Sequence, residues 1–208
     1  MTRRLVLGSA SPRRRERLAA RGLAFTVQAP DVDEQPDGSA PAALAETLAL
    51  RKARAVVAAE TEGGDAAVLG ADTIVVLDGE LLGKPAGATQ AAAMLRALRG
   101  REHQVVTGVA VVAGERSAVE HVVSRVAMRE YSEAQVAAYV AAGSSLDKAG
   151  AYAIQDRDFA PVARLDGCEC SVIGLPLWTV ARLLRAVATI EAQRPSYERC
   201  AACPEREG

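Results

Sequence analysis

The chain has 208 residues, 50% of them hydrophobic, and a formal net charge of -1; that is enough apolar material for one well-packed domain and too little net charge to attract nucleic acid or an anionic membrane over distance. No apolar run approaches the roughly 18 residues of a membrane helix, and the start MTRRLVLGSA has too short an apolar stretch for a signal peptide, so the cytoplasm is the expected compartment. The four cysteines, Cys168, Cys170, Cys200 and Cys203, all fall in the last fifth of the chain, which is not the pattern of a disulfide framework spread through a secreted domain.

RLVLGS (4–9) reads as a short buried strand, and Ser11-Pro12 then starts a helix with a hydroxyl cap and a proline at the first helical position. FTVQAP (25–30) and the acidic loop 31–39 precede a long helical pattern over 41–60, which a Gly-Gly break should end. VLGADTIVVL (68–77), Asp78-Gly79 and ELLGKP (80–85) form the strongest hairpin signal in the chain. A helix over 89–100, strands over 104–113 and 117–130, and a helix opened by a Ser132/Gln135 capping box follow. The loop SSLDKAG leads into AYAIQ (151–155); PVARLDGCECSVIGL (161–175) predicts a second Asp-Gly hairpin, and LPLWTVARLLRAVA a final helix. From about residue 191 the chain is polar and is expected to fray, leaving a domain over 1–190 and a tail over 191–208. Strands and helices interleave without regular βαβ spacing, which predicts an α/β domain built on one mixed sheet flanked by helices.

Only three of the 25 basic residues are lysines, Lys52, Lys84 and Lys148, so each stands out against a strong arginine bias. Gly8 to Arg14 combines a small-residue turn, hydroxyls at a helix N-terminus and two guanidiniums in the first helical turn. Cations there oppose the helix dipole unless an anion binds, which favours Ser9, Arg13 and Arg14 as phosphate ligands over an arginine-rich surface helix or a weak RNA contact. Lys52 lies on the row Leu44, Leu48, Lys52, Val56 and so points inward, either to a buried partner or by snorkelling to a rim.

Asp72 and Thr73 sit in an apolar strand, where a carboxylate is costly unless paired, hydrogen-bonded or metal-bound. The hairpin register opposes Val76 to Leu81 and Thr73 to Lys84. Strict alternation, however, puts Asp72 on the opposite face from both, so a bulge near Gly70 or Gly83, or a strand that ends early, is needed to bring them together. Glu34 is a candidate second carboxylate for a divalent cation beside Asp72. Asp147, Lys148 and Gln155 flank a glycine turn, which reads equally as an ordinary polar loop.

SASPRR (9–14), RKARA (51–55), VLGADTIVV (68–76), LGKP (82–85), HQVVTGV (103–109), LDKAGAYAIQ (146–155) and VIGLPL (172–177) together resemble, in order, the signatures of the Maf family of nucleotide pyrophosphatases. The resemblance covers the chain to about residue 185 and takes in all three lysines. It implies a fold like that of the house-cleaning inosine triphosphate pyrophosphatases: an elongated mixed sheet with a cleft between two lobes, commonly in a homodimer. It also implies cleavage between the α and β phosphates of a nucleoside triphosphate with a divalent cation, Mg or Mn. GADT followed by DKAGAYxIQ is similar to the branch acting on dTTP and UTP, not to the one acting on 7-methyl-GTP. On matching positions Asp72 becomes the proton acceptor, Arg13, Thr73 and Gln155 specificity positions, and Ser9, Arg14, Glu34, Lys52 and Lys84 the rest of the phosphate and metal site. Asp156 and the run Glu169, Cys170, Ser171 depart from the branch's usual pattern. The pairs Cys168-x-Cys170 and Cys200-x-x-Cys203 have the composition of a four-thiolate zinc site, which would tie the tail to the body, although the family needs no such metal.

Overall fold

A computed structural model describes residues 3–60, 66–195 and 197–207. The elements are β1 (Arg4–Gly8), α1 (Pro12–Ala19), β2 (Phe25–Val27), α2 (Pro41–Ala59), β3 (Ala66–Leu77), β4 (Glu80–Leu82), α3 (Ala88–Leu98), β5 (Glu102–Ala113), β6 (Arg116–Met128), α4 (Glu133–Ala141), β7 (Val162–Asp166), α5 (Glu169–Ile173), α6 (Leu177–Leu183) and α7 (Glu198–Ala201). The Gly63-Gly64 break expected after the second helix lies outside the described residues. The strands form one seven-stranded mixed sheet in the order β2-β1-β3-β5-β6-β7, with β4 paired to β3. β1 runs parallel to β2 and β3, and the remaining ladders are antiparallel.

β3 organises the molecule because its two faces pack against different layers. Val68, Ile74 and Val76 meet the α2 side, together with Leu44, Leu48 and Val56. Ala67, Leu69 and Ala71 pack with α6 on the other side, while Val75 and Leu77 pack with α3 and α4. α2 lies close on the sheet because two adjacent strands lack a side chain beneath it. A Cβ on Gly70 would stand 2.3 Å from the Ala49 carbonyl oxygen, and one on Gly108 2.2 Å from that of Ala45.

The Asp78-Gly79 turn carries φ values of 53° and 86°, the left-handed pair that a tight hairpin demands, and it sets the predicted Val76–Leu81 pairing. The second Asp-Gly hairpin does not form. After Asp166 the chain turns into α5, whose N-cap is Cys168, its sulfur accepting from Ser171 N at 3.4 Å. Tertiary hydrogen bonds outweigh the local turn signal here: Thr107 donates to the Ser171 carbonyl at 2.8 Å, and the Ser171 hydroxyl to the Val122 carbonyl at 3.4 Å. Nor does the tail fray over its described residues. Cys200 and Cys203 join the core that holds Leu5, Leu18 and Leu175, and Trp178 Nε1 donates to the Cys200 carbonyl at 2.9 Å.

The glycine contacts give the first test. Gly108→Ala should lower unfolding free energy by about 1–3 kcal/mol, the usual cost of overpacking, because the new methyl meets helix backbone. Gly87→Ala has nothing within 4 Å of its new Cβ and should stay within about 0.5 kcal/mol. Urea unfolding of both decides it; equal stability would mean α2 does not press on Gly108.

Candidate active site

The site forms where the sheet has an open edge. β1 covers β3 as far as Gly8 opposite Gly70, and β4 resumes only at Leu82 opposite Val75, so residues 71–74 have β5 on one side and no strand on the other. A cleft of about 640 Å³ opens at this gap, lined by residues from both faces of β3, and its volume is that of a small-molecule site. The gap reconciles Asp72 with Thr73. β4 ends early, alternation is intact, and the two side chains reach one cleft from opposite faces.

Asp72 is held by Lys52. The Lys52 ammonium sits 2.6 Å from Asp72 Oδ1 and 2.8 Å from Glu34 Oε1, and both Lys52 and Asp72 are buried while Glu34 is half exposed. Thus the lysine that interrupts the apolar row of α2 faces a carboxylate and does not snorkel. Desolvation alone would raise the Glu34 carboxyl; the Lys52 hydrogen bond and the Lys52, Lys84 and Arg14 charges outweigh it and hold Glu34 below its ordinary value. Lys84 stands on the exposed rim of the cleft, just beyond the end of β4.

Arg14 is built into the wall. Its Nε donates to the Gly174 carbonyl at 2.9 Å, Nη2 to Thr73 Oγ1 at 3.1 Å and Nη1 to Ser9 Oγ at 3.4 Å. Burial pulls its pKa below the ordinary arginine value, against the opposing charge of Asp72. Thr73 Oγ1 is 3.0 Å from Thr107 Oγ1, whose own proton goes to the Ser171 carbonyl. Thr73 must therefore donate to Thr107 while accepting from Arg14, because each hydroxyl has one proton. That chain fixes Arg14 through Thr73.

Arg13 reaches across the cleft to Asp147, at 2.6 Å from Oδ2, and Asp147 also pairs with Lys148. The loop that carries Gln155 is thereby latched to the start of α1. Gln155 is exposed in the cleft beside Ala153 and Ile154. The cleft thus gathers Ser9, Arg13, Arg14, Glu34, Lys52, Asp72, Thr73, Lys84 and Gln155. Thr107 and Gly174 fall within HQVVTGV (103–109) and VIGLPL (172–177), but residue type and spacing assign neither a role, since one acts by supporting Thr73 and the other through its backbone. Tyr152, within LDKAGAYAIQ (146–155), has no assigned role either. It lines the cleft, and its hydroxyl lies 2.8 Å from buried His103 Nε2.

Among known proteins, a family model described as "Maf-like protein" matches residues 4–187. The chain is 52% identical over 184 residues to a protein named dTTP/UTP pyrophosphatase from Moorella thermoacetica, covering 87% of this chain and 93% of the relative. It is 50% identical over 183 residues to one of the same name from Thermomicrobium roseum, covering 87% and 83%. A third of that name, from Geobacter sulfurreducens, is 47% identical over 190 residues, covering 90% and 98%.

Burial pushes the His103 imidazole down to about 4, so it stays neutral in the folded chain between that value and the ordinary histidine value near 6.5. In that window the unfolded chain binds the extra proton, so stability falls as pH falls, by about 1.4 kcal/mol per unit. Urea unfolding at pH 7 and pH 5 should show a steeper loss for the wild type than for His103→Gln. Identical slopes would mean that His103 is not held neutral beneath Tyr152.

Proposed function

The chain belongs to the Maf family, and from that premise we propose that its cleft hydrolyses dTTP and UTP to the nucleoside monophosphate and pyrophosphate. The observation that carries this reading is the Asp72–Lys52–Glu34 cluster at 2.6 and 2.8 Å in the cleft, beside the anchored Arg14; the names of the relatives from Moorella thermoacetica and Thermomicrobium roseum supply the substrates. Charge supports it as well. Five cations, Arg13, Arg14, Lys52, Lys84 and Lys148, line the cleft against three carboxylates, Glu34, Asp72 and Asp147. A triphosphate of roughly four negative charges together with one divalent cation balances that excess.

A divalent cation of the hard-oxygen class, Mg or Mn, fits the donors present. Asp72 Oδ1 and Glu34 Oε1 both bind the Lys52 ammonium, which brings the two carboxylates close together and leaves Oδ2 and Oε2 for an ion that takes its other ligands from phosphates and water. Asp72 and Glu34 would hold it, and when bound it supplies neutralising charge to phosphate oxygens.

In this reading water attacks the α phosphorus and the bond to the bridging oxygen breaks. Asp72 accepts the proton of the water, held in place by Lys52. Arg14, immobilised by Gly174, Thr73 and Ser9, meets developing charge on the phosphates without having to reorganise. Lys84 at the rim serves the pyrophosphate that leaves. Arg13 leaves Asp147 for a phosphate or stays as the latch on the Gln155 loop. Gln155 reads the base: a carboxamide donates and accepts at once and so matches the O and N–H edge of thymine or uracil. No helix among the described residues is long and apolar enough to cross a membrane, and the reading extends to a cytoplasmic homodimer.

Pyrophosphate release from dTTP, UTP, CTP and 7-methyl-GTP, with magnesium or manganese, tests the whole reading; turnover confined to 7-methyl-GTP, or none at all, would overturn it. Asp72→Asn should cut kcat by at least about a hundredfold, the scale of a lost general base, while substrate still binds, and near-native turnover would remove Asp72 from the chemistry. Gln155→Glu should lower kcat/KM for UTP and dTTP by about tenfold or more relative to CTP, since a carboxylate no longer donates. An equal loss on all three would show that Gln155 shapes the loop and does not read the base.

A further inference from the structure

We propose that Cys168, Cys170, Cys200 and Cys203 form a structural site for a thiophilic divalent cation of the zinc class, separate from the cleft, that fastens the C-terminal segment to the body of the domain. All four are free thiols and buried. They come from two segments, the entry to α5 and the turn around α7, and they meet: Cys170 Sγ is 3.1 Å from Cys200 Sγ, while Cys168 interacts with both Cys170 and Cys203. One buried cysteine is an ordinary small hydrophobe. Four linked in a chain, Cys200 to Cys170 to Cys168 to Cys203, supply the donors of a ligand set, and C-x-x-C is an established zinc spacing.

The surroundings supply an independent argument. Arg21 is 1% exposed, and its Nε and Nη1 have no hydrogen-bond partner, Nη2 having only a 3.5 Å contact to the Ala192 carbonyl. Arg17 is 8% exposed and lies 3.9 Å from the centre of the Tyr197 ring. Both guanidiniums are within electrostatic reach of Cys170 and Cys200. A guanidinium does not shed its proton, and a buried cation without a counter-charge is expensive. Four neutral thiols offer none. Four thiolates around one divalent cation carry a net charge of about -2, which two buried arginines answer. The Ser171 N–H that points at Cys168 Sγ adds a further donor to that anion.

Among the described residues no three candidate ligands surround a common point, and Cys170 Sγ and Cys200 Sγ are closer than two ligands of one ion. Two thiolates at about 2.3 Å from one tetrahedral zinc stand about 3.8 Å apart, so Cys170 and Cys200 must separate by about 0.7 Å. For that pair the change is within the reach of a side-chain adjustment.

The full chain, purified under reducing conditions without a metal-affinity step, should carry about one zinc per chain by elemental analysis. Exchange with cobalt should give thiolate-to-metal charge-transfer and tetrahedral d–d bands, a signature that Mg or Mn in the cleft cannot produce. The double variant Cys200→Ser, Cys203→Ser should lose both, and trypsin should then cut it after Arg199 faster than the wild type. The wild-type measurements stand even if the variant misfolds. Less than about a tenth of an equivalent of zinc with no thiolate bands after cobalt is added overturns the site. So does zinc that survives in the double variant, or an intact mass short by the hydrogens of one or two disulfides. Each of these results leaves the hydrolysis reading untouched, since that rests on pyrophosphate release.

Discussion

A lysine buried at 2.6 Å from a buried aspartate is stable only if the geometry that joins them is held rigid, because losing either partner strands a charge at a cost of about 3–5 kcal/mol. Much of the fold serves that requirement. α2 carries Lys52 and descends onto β3 and β5 at two glycines whose missing side chains leave room for helix backbone. Gly108 is the residue paired with Asp72 in the β3–β5 ladder, so the closest approach of helix to sheet lies beside the ion pair itself. Ala45, Ala49 and Ala53 on the contacting face are equally small. A bulkier interface would lift Lys52 from Asp72, and the carboxylate would then lie buried without its counter-ion.

The same strand explains why the cleft lies where it does. β3 has twelve residues, longer than either strand that covers its outer edge, and β1 and β4 approach that edge from opposite ends without meeting. The residues left between them expose both pleat faces to one cleft. Asp72 on one face and an arginine anchored through a threonine on the other thereby open onto a single cleft. Sequence alternation alone could not bring this about, since it separates Asp72 from Thr73.

Where local chemistry decided the structure, the sequence was sufficient to read it. Ser11 and Ser132 cap their helices, Asp78-Gly79 turns the hairpin in the expected register, and the row Leu44, Leu48, Lys52, Val56 is buried throughout. Most candidate site residues were legible too, through their cost: an aspartate in an apolar strand, a lysine on an apolar helix face, arginines at a helix N-terminus. What could not be read was set by partners distant in sequence. Gly167 carries the turn signal of a hairpin, yet Thr107 and Val122 hold Ser171 in a helix. The tail is polar in composition, yet Cys200 and Cys203 find the core and Tyr197 packs against it. Thr73 illustrates the limit within the site itself. Its position was marked, but its use of both hydroxyl functions on Arg14 and Thr107 depends on a network spanning two strands and two short helices.

Two short helices, α1 and α5, link the cleft to the cysteine cluster, and they run in opposite senses between them. α1 starts at Ser11, Arg13 and Arg14 in the cleft and continues into Arg17, beside the thiols. α5 starts at Cys168 and Cys170 and ends at Gly174, whose carbonyl receives Arg14 Nε. Helices of eight and five residues are too short to persist on their own propensity; packing at their ends must define them. α1 also opens with cations against its own dipole, a local conflict that only an anion bound in the cleft relieves. Its other end must then carry more of the burden of holding it in place. The buried Leu18, Arg17 and Arg21 do so, and a tetrathiolate cation beneath them would turn the two arginines from a liability into an anchor. On this argument the cysteine cluster contributes no chemistry. It fixes the far ends of the two helices whose near ends position Arg14.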